Sequence, residues 1–480
     1  MPTLAHDAFV PDVLADRYAS PEMARIWSPV GKVRLERELW IAVLKAQRQL
    51  GLDIPAEAIA AYERVKDQVD LDSIRAREQI TKHDVKARIE EFCALAGYEH
   101  IHKGMTSRDL TENVEQLQAL RSLALLRDKA VAAVVRLAER AAEFGDVVLP
   151  ARTHNVPAQP TTVGRRLAMF GEELVLAIEH LAWLMEHYPL RGLKGPVGTQ
   201  LDLLTLFGGD RSKVQALEQE VARFLGFSQV LEAPGQVYPR SLDLAVASVL
   251  LQLASGPSDF ARTLRLMAGF ELASEGFAAG QVGSSAMPHK MNARSCERIN
   301  SLFAVLRGHQ TMLAALAGDQ WNEGDVSCSA ARRVALPGMM LATDGLLETF
   351  LWVVGQFTIF PAMVAWEWNR YAPFLATTTL LMEAVRRGAG REEAHAVLQR
   401  ETQAAAAALR SGQTGTSDFV ARLAACPELH LDRDTIERVL AETHRLVGNA
   451  KEQTERFRTR AQSLLERFPT ARSIQPREIL

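Results

Sequence analysis

The strongest constraint in this chain is the stride of its apolar residues behind Thr106. Leu110, Val114, Leu117, Leu120, Leu123, Leu126, Ala130, Val134 and Leu137 follow one another at three or four positions. The mean step is about 3.4, close to the repeat of supercoiled helices. Thr106-Ser107-Arg108-Asp109 has the form of a capping box at the head of this run. Continued to Glu143, the helix would be about 55 Å long. Such a rod suits an elongated bundle completed by other subunits better than a compact globule.

The same stride recurs behind Pro160, through Val163, Leu167, Phe170, Leu174, Ala177, Leu181 and Leu184. A third helix is expected from Ser241, with a break or kink at Gly256-Pro257. Alternating β-branched runs are scarce, so the fold class predicted is all-α, with three helical domains. The expected divisions are 1–106, a central long-helix bundle at 107–364, and a C-terminal helical domain at 365–480. The second division rests on Phe360-Pro361 and Pro373.

Composition narrows the function by exclusion. With 55 basic and 58 acidic residues the net charge is −3, which argues against broad binding to nucleic acid but leaves room for a local basic pocket. Cys93, Cys296, Cys328 and Cys426 form no CxxC pair, which fits a reducing cytoplasm. Met1 to Tyr18 lacks a basic region followed by an apolar stretch, and no apolar run is long enough for a membrane span. His83, Cys93, His100 and His102 match no familiar zinc spacing. Neither a phosphate-binding P-loop nor a dinucleotide fingerprint is present, so neither metal nor cofactor is expected.

Polar segments interrupt the apolar background, and one carries the densest chemistry. Gly280-Gln281-Val282-Gly283-Ser284-Ser285-Ala286-Met287-Pro288-His289-Lys290-Met291-Asn292, within a loop at about 276–298, joins backbone freedom to hydroxyls, an imidazole, an ammonium and an amide. A loop of this content could close over a ligand; it could equally be a solvated surface loop. A serine acts as a base only where a cation, oriented N–H donors or a helix N-terminus stabilises its oxyanion.

GSSAMPHKMN resembles the signature loop of the fumarase/aspartase superfamily, and its Pro-His-Lys resembles the adenylosuccinate lyase and carboxymuconate cycloisomerase branches. Gly104 to Asp109 is similar to that superfamily's G-(L/M)-T-S-x-D. Arg152-Thr153-His154-Asn155 with Gln159 to Thr162 is similar to its R-T-H and P-T-T region. Lys82-His83-Asp84-Val85 and Arg17-Tyr18 resemble the adenylosuccinate lyase branch in particular. The resemblance spans the chain and implies β-elimination of fumarate from a succinyl group, on adenylosuccinate (giving AMP) and on SAICAR (giving AICAR). That chemistry needs a base, an acid and groups that hold a dicarboxylate.

By the same resemblance, Ser284 is the base, His154 the acid and Glu297 the carboxylate partner of a catalytic histidine. Lys290, Asn292, Thr106, Ser107 and Thr153 would bind the fumarate portion. Arg17, Tyr18, Ser329 and Arg333 match monophosphate-binding positions. His83, Asp84, His102, Gln236 and Arg240 match ligand-facing positions. One departure stands out: Trp321-Asn322-Glu323-Gly324-Asp325 has glycine where the family commonly carries arginine, with Arg332 or Arg25 as candidate replacements. The family implies a homotetramer whose sites draw on several chains. Argininosuccinate lyase or another superfamily lyase, and a non-catalytic helical scaffold of the same fold, remain alternatives on these residues.

Overall fold

In a computed structural model, residues 10–277, 280, 282–412, 417–442 and 445–478 are described. Five long helices dominate: α1 (Ser107–Glu143), α2 (Val163–His187), α3 (Ser241–Gly269), α4 (Arg294–Leu316) and α5 (Ser329–Gln356). Each buries its apolar stripe against the others, and α1 alone seats Leu110, Val114, Leu117, Leu123, Leu126, Ala130, Val134 and Leu137 in the core. Asp109 anchors the start of α1. Its Oδ2 accepts the Thr106 amide at 2.8 Å, while Oδ1 accepts the amides of Lys194 and Gly195 at 2.9 and 3.1 Å.

The helix from Ser241 does not break at Gly256-Pro257. Pro257 lies inside a continuous α3. Packing explains the glycine: a Cβ at Gly256 would stand 2.9 Å from the Phe170 carbonyl oxygen on α2. Helix α5 is long and apolar enough to cross a membrane, but 89% of its most apolar window is buried inside the molecule, which accounts for that character.

Short strands interrupt the helical architecture. β1 (Val148–Thr153) and β2 (Val156–Thr162) form an antiparallel hairpin between α1 and α2. Pro150, Pro157 and Pro160 bar a helix there, and proline is tolerated at the edge of a two-stranded ribbon. β3 (Ala273–Ser274) and β4 (Thr358–Ile359) pair where α3 and α5 end.

The main core also takes in the N-terminal helices, with Leu39, Trp40, Tyr62 and Phe92 among its members. A second, smaller core gathers Leu380, Leu398, Phe419, Leu429 and Ile436. The helix Ala450–Arg467 returns to the bundle and buries Phe457, Ala461 and Leu464 in the main core.

Candidate functional site

The alternation of the long helices gives the molecule two poles. At the first lie the starts of α1, α3 and α5. At the second lie their ends, the β1–β2 hairpin and the loop leading into α4. Arg240 at the head of α3 binds Glu112 near the head of α1, with Nη1 and Nη2 at 2.8 and 3.0 Å from its carboxylate. Arg152 of the hairpin stacks on Phe270 just past the end of α3, 4.5 Å from the ring centre. Helix α1 has 37 residues, so the poles stand about 50 Å apart.

A cavity of about 340 Å³ opens at the first pole. Seven of the residues expected at the site line it: His83, Asp84, Thr106, Ser107, Gln236, Ser329 and Arg333. His83 caps the helix Asp84–Ala96, its Nδ1 accepting the Lys86 amide at 3.3 Å. This assigns the proton to Nε2, which faces the Ser107 hydroxyl at 3.4 Å. Burial would raise the Asp84 carboxyl, but Arg88, 2.9 Å away, and the Val85 amide outweigh it and hold it below the usual range.

Buried charge supports the cavity wall. Arg332 reaches Asp243 at 2.8 Å and Glu115 at 2.7 Å, and it also donates to the Tyr238 hydroxyl. Burial would raise Glu115, yet Arg332 and Lys32 hold it low. This network answers the question raised by Gly324. Arg332 is committed to these partners and is no unpaired replacement for an arginine, and Arg25 does not line the cavity. A Cβ on Gly324 would come within 2.7 Å of the Gln236 Cβ. The glycine thus permits close packing of two cavity segments.

Two expected ligand-facing residues are engaged elsewhere. Arg240 is 2% exposed and held by Glu112, so it supports the wall without lining it. His102 takes a hydrogen bond from the Trp40 indole at 3.1 Å. Burial pushes its pKa down to about 4, leaving it neutral. Arg17 and Tyr18 also lie off this cavity. Tyr18 packs on Gly345, midway along α5, and its ring receives Arg298 from the head of α4 at 5.5 Å.

The second pole holds the other expected residues in two places. Lys290, Asn292 and Glu297 line an open cleft of about 960 Å³. Glu297 pairs there with Arg265 at 3.7 Å. The Ser284 hydroxyl accepts the Met287 amide at 3.2 Å, and Asn292 Nδ2 donates to the Gly283 carbonyl at 3.0 Å. Ala278, Ala279 and Gln281 of this loop lie outside the described residues. Thr153 and His154 are exposed at the hairpin tip. His154 and Asn155 have φ of 52° and 61°, the left-handed pair that closes a two-residue turn.

Within one chain, then, the expected acid and base share a pole, while Thr106 and Ser107 sit at the other. The residues missed from sequence are the supports. Glu275 accepts the Ser295 and Cys296 amides at 3.1 and 3.0 Å and so fixes the start of α4 behind the loop. Glu112 holds Arg240. The signal for Glu112 was present: Asp109, Glu112, Asn113 and Gln116 interrupt the apolar face of α1 and are all buried.

A family model described as "Lyase" matches residues 19–308, and one described as "Adenylosuccinate lyase C-terminus" matches residues 373–457. Adenylosuccinate lyase of Schistosoma mansoni is 35% identical over 402 residues, covering 83% of this chain and 84% of that protein. Its counterpart in Saccharomyces cerevisiae is 33% identical over 453 residues, covering 92% and 93%. Among solved structures, the 3-carboxy-cis,cis-muconate lactonizing enzyme from Pseudomonas putida superposes with a TM-score of 0.81 at 22% identity, over 95% of this chain and 100% of that one. That likeness speaks for the fold, whereas the matches in sequence carry the kinship. On these grounds the chain belongs to the adenylosuccinate lyase family, the lyases of purine biosynthesis within the fumarase/aspartase superfamily.

Proposed function

We propose that this lyase removes fumarate from adenylosuccinate, leaving AMP, and from SAICAR, leaving AICAR. In this reading Ser284 takes the proton from the carbon beside a succinyl carboxylate. Negative charge builds on that carboxylate, the carbon–nitrogen bond breaks, and His154 protonates the departing nitrogen. The Met287 amide on Ser284 Oγ is the kind of donor a serine oxyanion needs, which favours Ser284 over Ser285. The strained turn at His154 presents the imidazole at the tip of a ribbon. Lys290, Asn292 and Thr153 hold the fumarate portion from the second pole, and Thr106 and Ser107 hold it from the first. Ser329 and Arg333 hold the phosphate, joined by Arg17 and Tyr18 of a neighbouring copy.

The observation that carries this reading is the cavity at the first pole, where His83-Asp84, Thr106-Ser107, Gln236, Ser329 and Arg333 share one wall. Distance then requires assembly. Residues about 50 Å apart along α1 act on one small substrate only if different copies supply them. We therefore propose a homotetramer whose sites combine poles from neighbouring chains. Met169, Leu176 and Trp183 recur at heptad spacing along α2 and are 50%, 57% and 61% exposed, a stripe suited to a further helix. Arg240 and His102 act in this scheme as supports rather than ligands.

Mixing the purified protein with adenylosuccinate and following ultraviolet absorbance and fumarate release tests the reaction. Turnover of argininosuccinate with none of adenylosuccinate would overturn it, and turnover of neither would favour the scaffold. Light scattering tests the assembly, since an active monomer contradicts shared sites.

A further inference from the structure

We infer that Arg108, beside the serine at the head of α1, is a phosphate-reading residue of the first-pole cavity that sets preference for nucleotide over nucleoside. This rests on the proposed function and adds a residue to it. Arg108 occupies the first turn of α1, where the helix dipole opposes a cation. Arg333 is the fifth residue of α5, one turn in from its start, and both side chains line the one cavity. Two guanidinium groups brought to one small cavity repel each other unless an anion binds between them.

The pairing of charges leaves Arg108 and Arg333 as the loosely held guanidinium groups of the wall. Of the cations on the wall, Arg332 is held by Asp243 and Glu115. The wall carboxylate Asp84 is held by Arg88. Arg108 has Glu112 at 3.5 Å, but that carboxylate is already gripped at both oxygens by Arg240 and is fully buried. The Arg108 side chain stays 24% exposed, on the same wall as the Ser107 and Ser329 hydroxyls. Gly324 offers no side chain to this part of the wall, and its contact with Gln236 leaves no room for one. A phosphate monoester, with three terminal oxygens and about two negative charges, suits two guanidinium forks and the Ser329 hydroxyl better than a single carboxylate does.

Calorimetric titration of AMP and of adenosine into the whole protein tests this, with R108Q, R108K and R333Q alongside the wild type. R108Q is expected to weaken AMP about 10–100-fold, the worth of one charged hydrogen-bonded contact, and to leave adenosine within about twofold. R108K should recover part of the loss, because ammonium keeps the charge but not the fork. In turnover, KM for adenylosuccinate should rise while kcat changes little. Unchanged AMP affinity in R108Q, or an equal loss for AMP and adenosine, overturns the assignment. If R333Q alone weakens AMP, the cavity reading stands and Arg108 falls. A wild-type protein that ignores AMP brings down the functional reading and this inference together.

Discussion

Beneath the cavity of the first pole charge is buried and paired, whereas the expected catalytic groups of the second pole stand on partly or fully exposed segments. Glu112–Arg240, Asp109–Arg191 and Arg332 with Asp243 and Glu115 form an ion-paired interior network under the cavity. His154, Ser284 and Glu297 instead stand on a hairpin tip, a glycine-rich loop and a half-open helix turn, respectively. A binding surface gains from groups whose positions are fixed before the ligand arrives. Acid and base groups need only reach the right place once another surface covers them. The contrast teaches that this chain preorganises the cavity wall by itself, and on the proposed assembly neighbouring copies would complete the chemistry.

Rate measurements should give the widest separation between the poles. S284A and H154A are each expected to lower kcat by about 10²–10⁴-fold, as for general acid–base groups. Neither residue has a buried side chain, so melting temperature should hardly move. Near-normal turnover in either variant would remove that residue from the mechanism. Equal mixtures of S284A with S107A protein should recover part of the activity if separate chains supply the two poles.

The first pole should answer mutation in stability instead. R332M leaves Asp243 buried without its cation and Glu115 with only the more distant Lys32, which costs about 3–5 kcal/mol. Urea unfolding would show it. A loss under about 1 kcal/mol would mean that water relieves the network and that the pole is not preorganised in the sense argued here.

How much of this contrast was legible in the sequence depended on range. The stride from Leu110 to Leu137 gave α1, because a helix repeats its environment every turn. Thr106 and Asp109 gave its start, because capping is local. The hairpin was not legible: Pro150, Pro157 and Pro160 say what the segment cannot be, but pairing Val148 with Thr162 is a longer-range choice. Motif residues of both poles could be picked out by resemblance. That Arg240 is gripped by Glu112, and His102 by Trp40, could not, because those partners lie 128 and 62 positions away.

His102 ties the first pole to pH. Its pKa is pushed down to about 4 by burial, which the Asp109 charge only partly offsets. An unfolded histidine titrates near 6.5. Below that value the unfolded chain takes up a proton that the folded chain refuses, so stability drains as pH falls from about 6.5 and levels off below about 4. The full loss approaches about 3 kcal/mol. H102Q should be flatter than wild type across that window in unfolding curves. Parallel curves would show that His102 is solvated, with no grip from Trp40.

The finest probe of the first pole is Gly324. G324A puts a methyl 2.7 Å from the Gln236 Cβ. The Gln236 amide is tied to the Glu323 carbonyl at 2.6 Å, so the two segments cannot part without loosening that bond. Overpacking of this size costs about 1 kcal/mol at the low end, or about 1 °C in melting temperature for a chain of this length. Gln236 also lines the cavity, so a small rise in KM should accompany the thermal shift while kcat holds. Without a thermal shift, the segments yield freely and the wall is softer than its buried charges imply. A shift with no change in KM would place the rigidity beneath the cavity floor and free Gln236 from any part in binding.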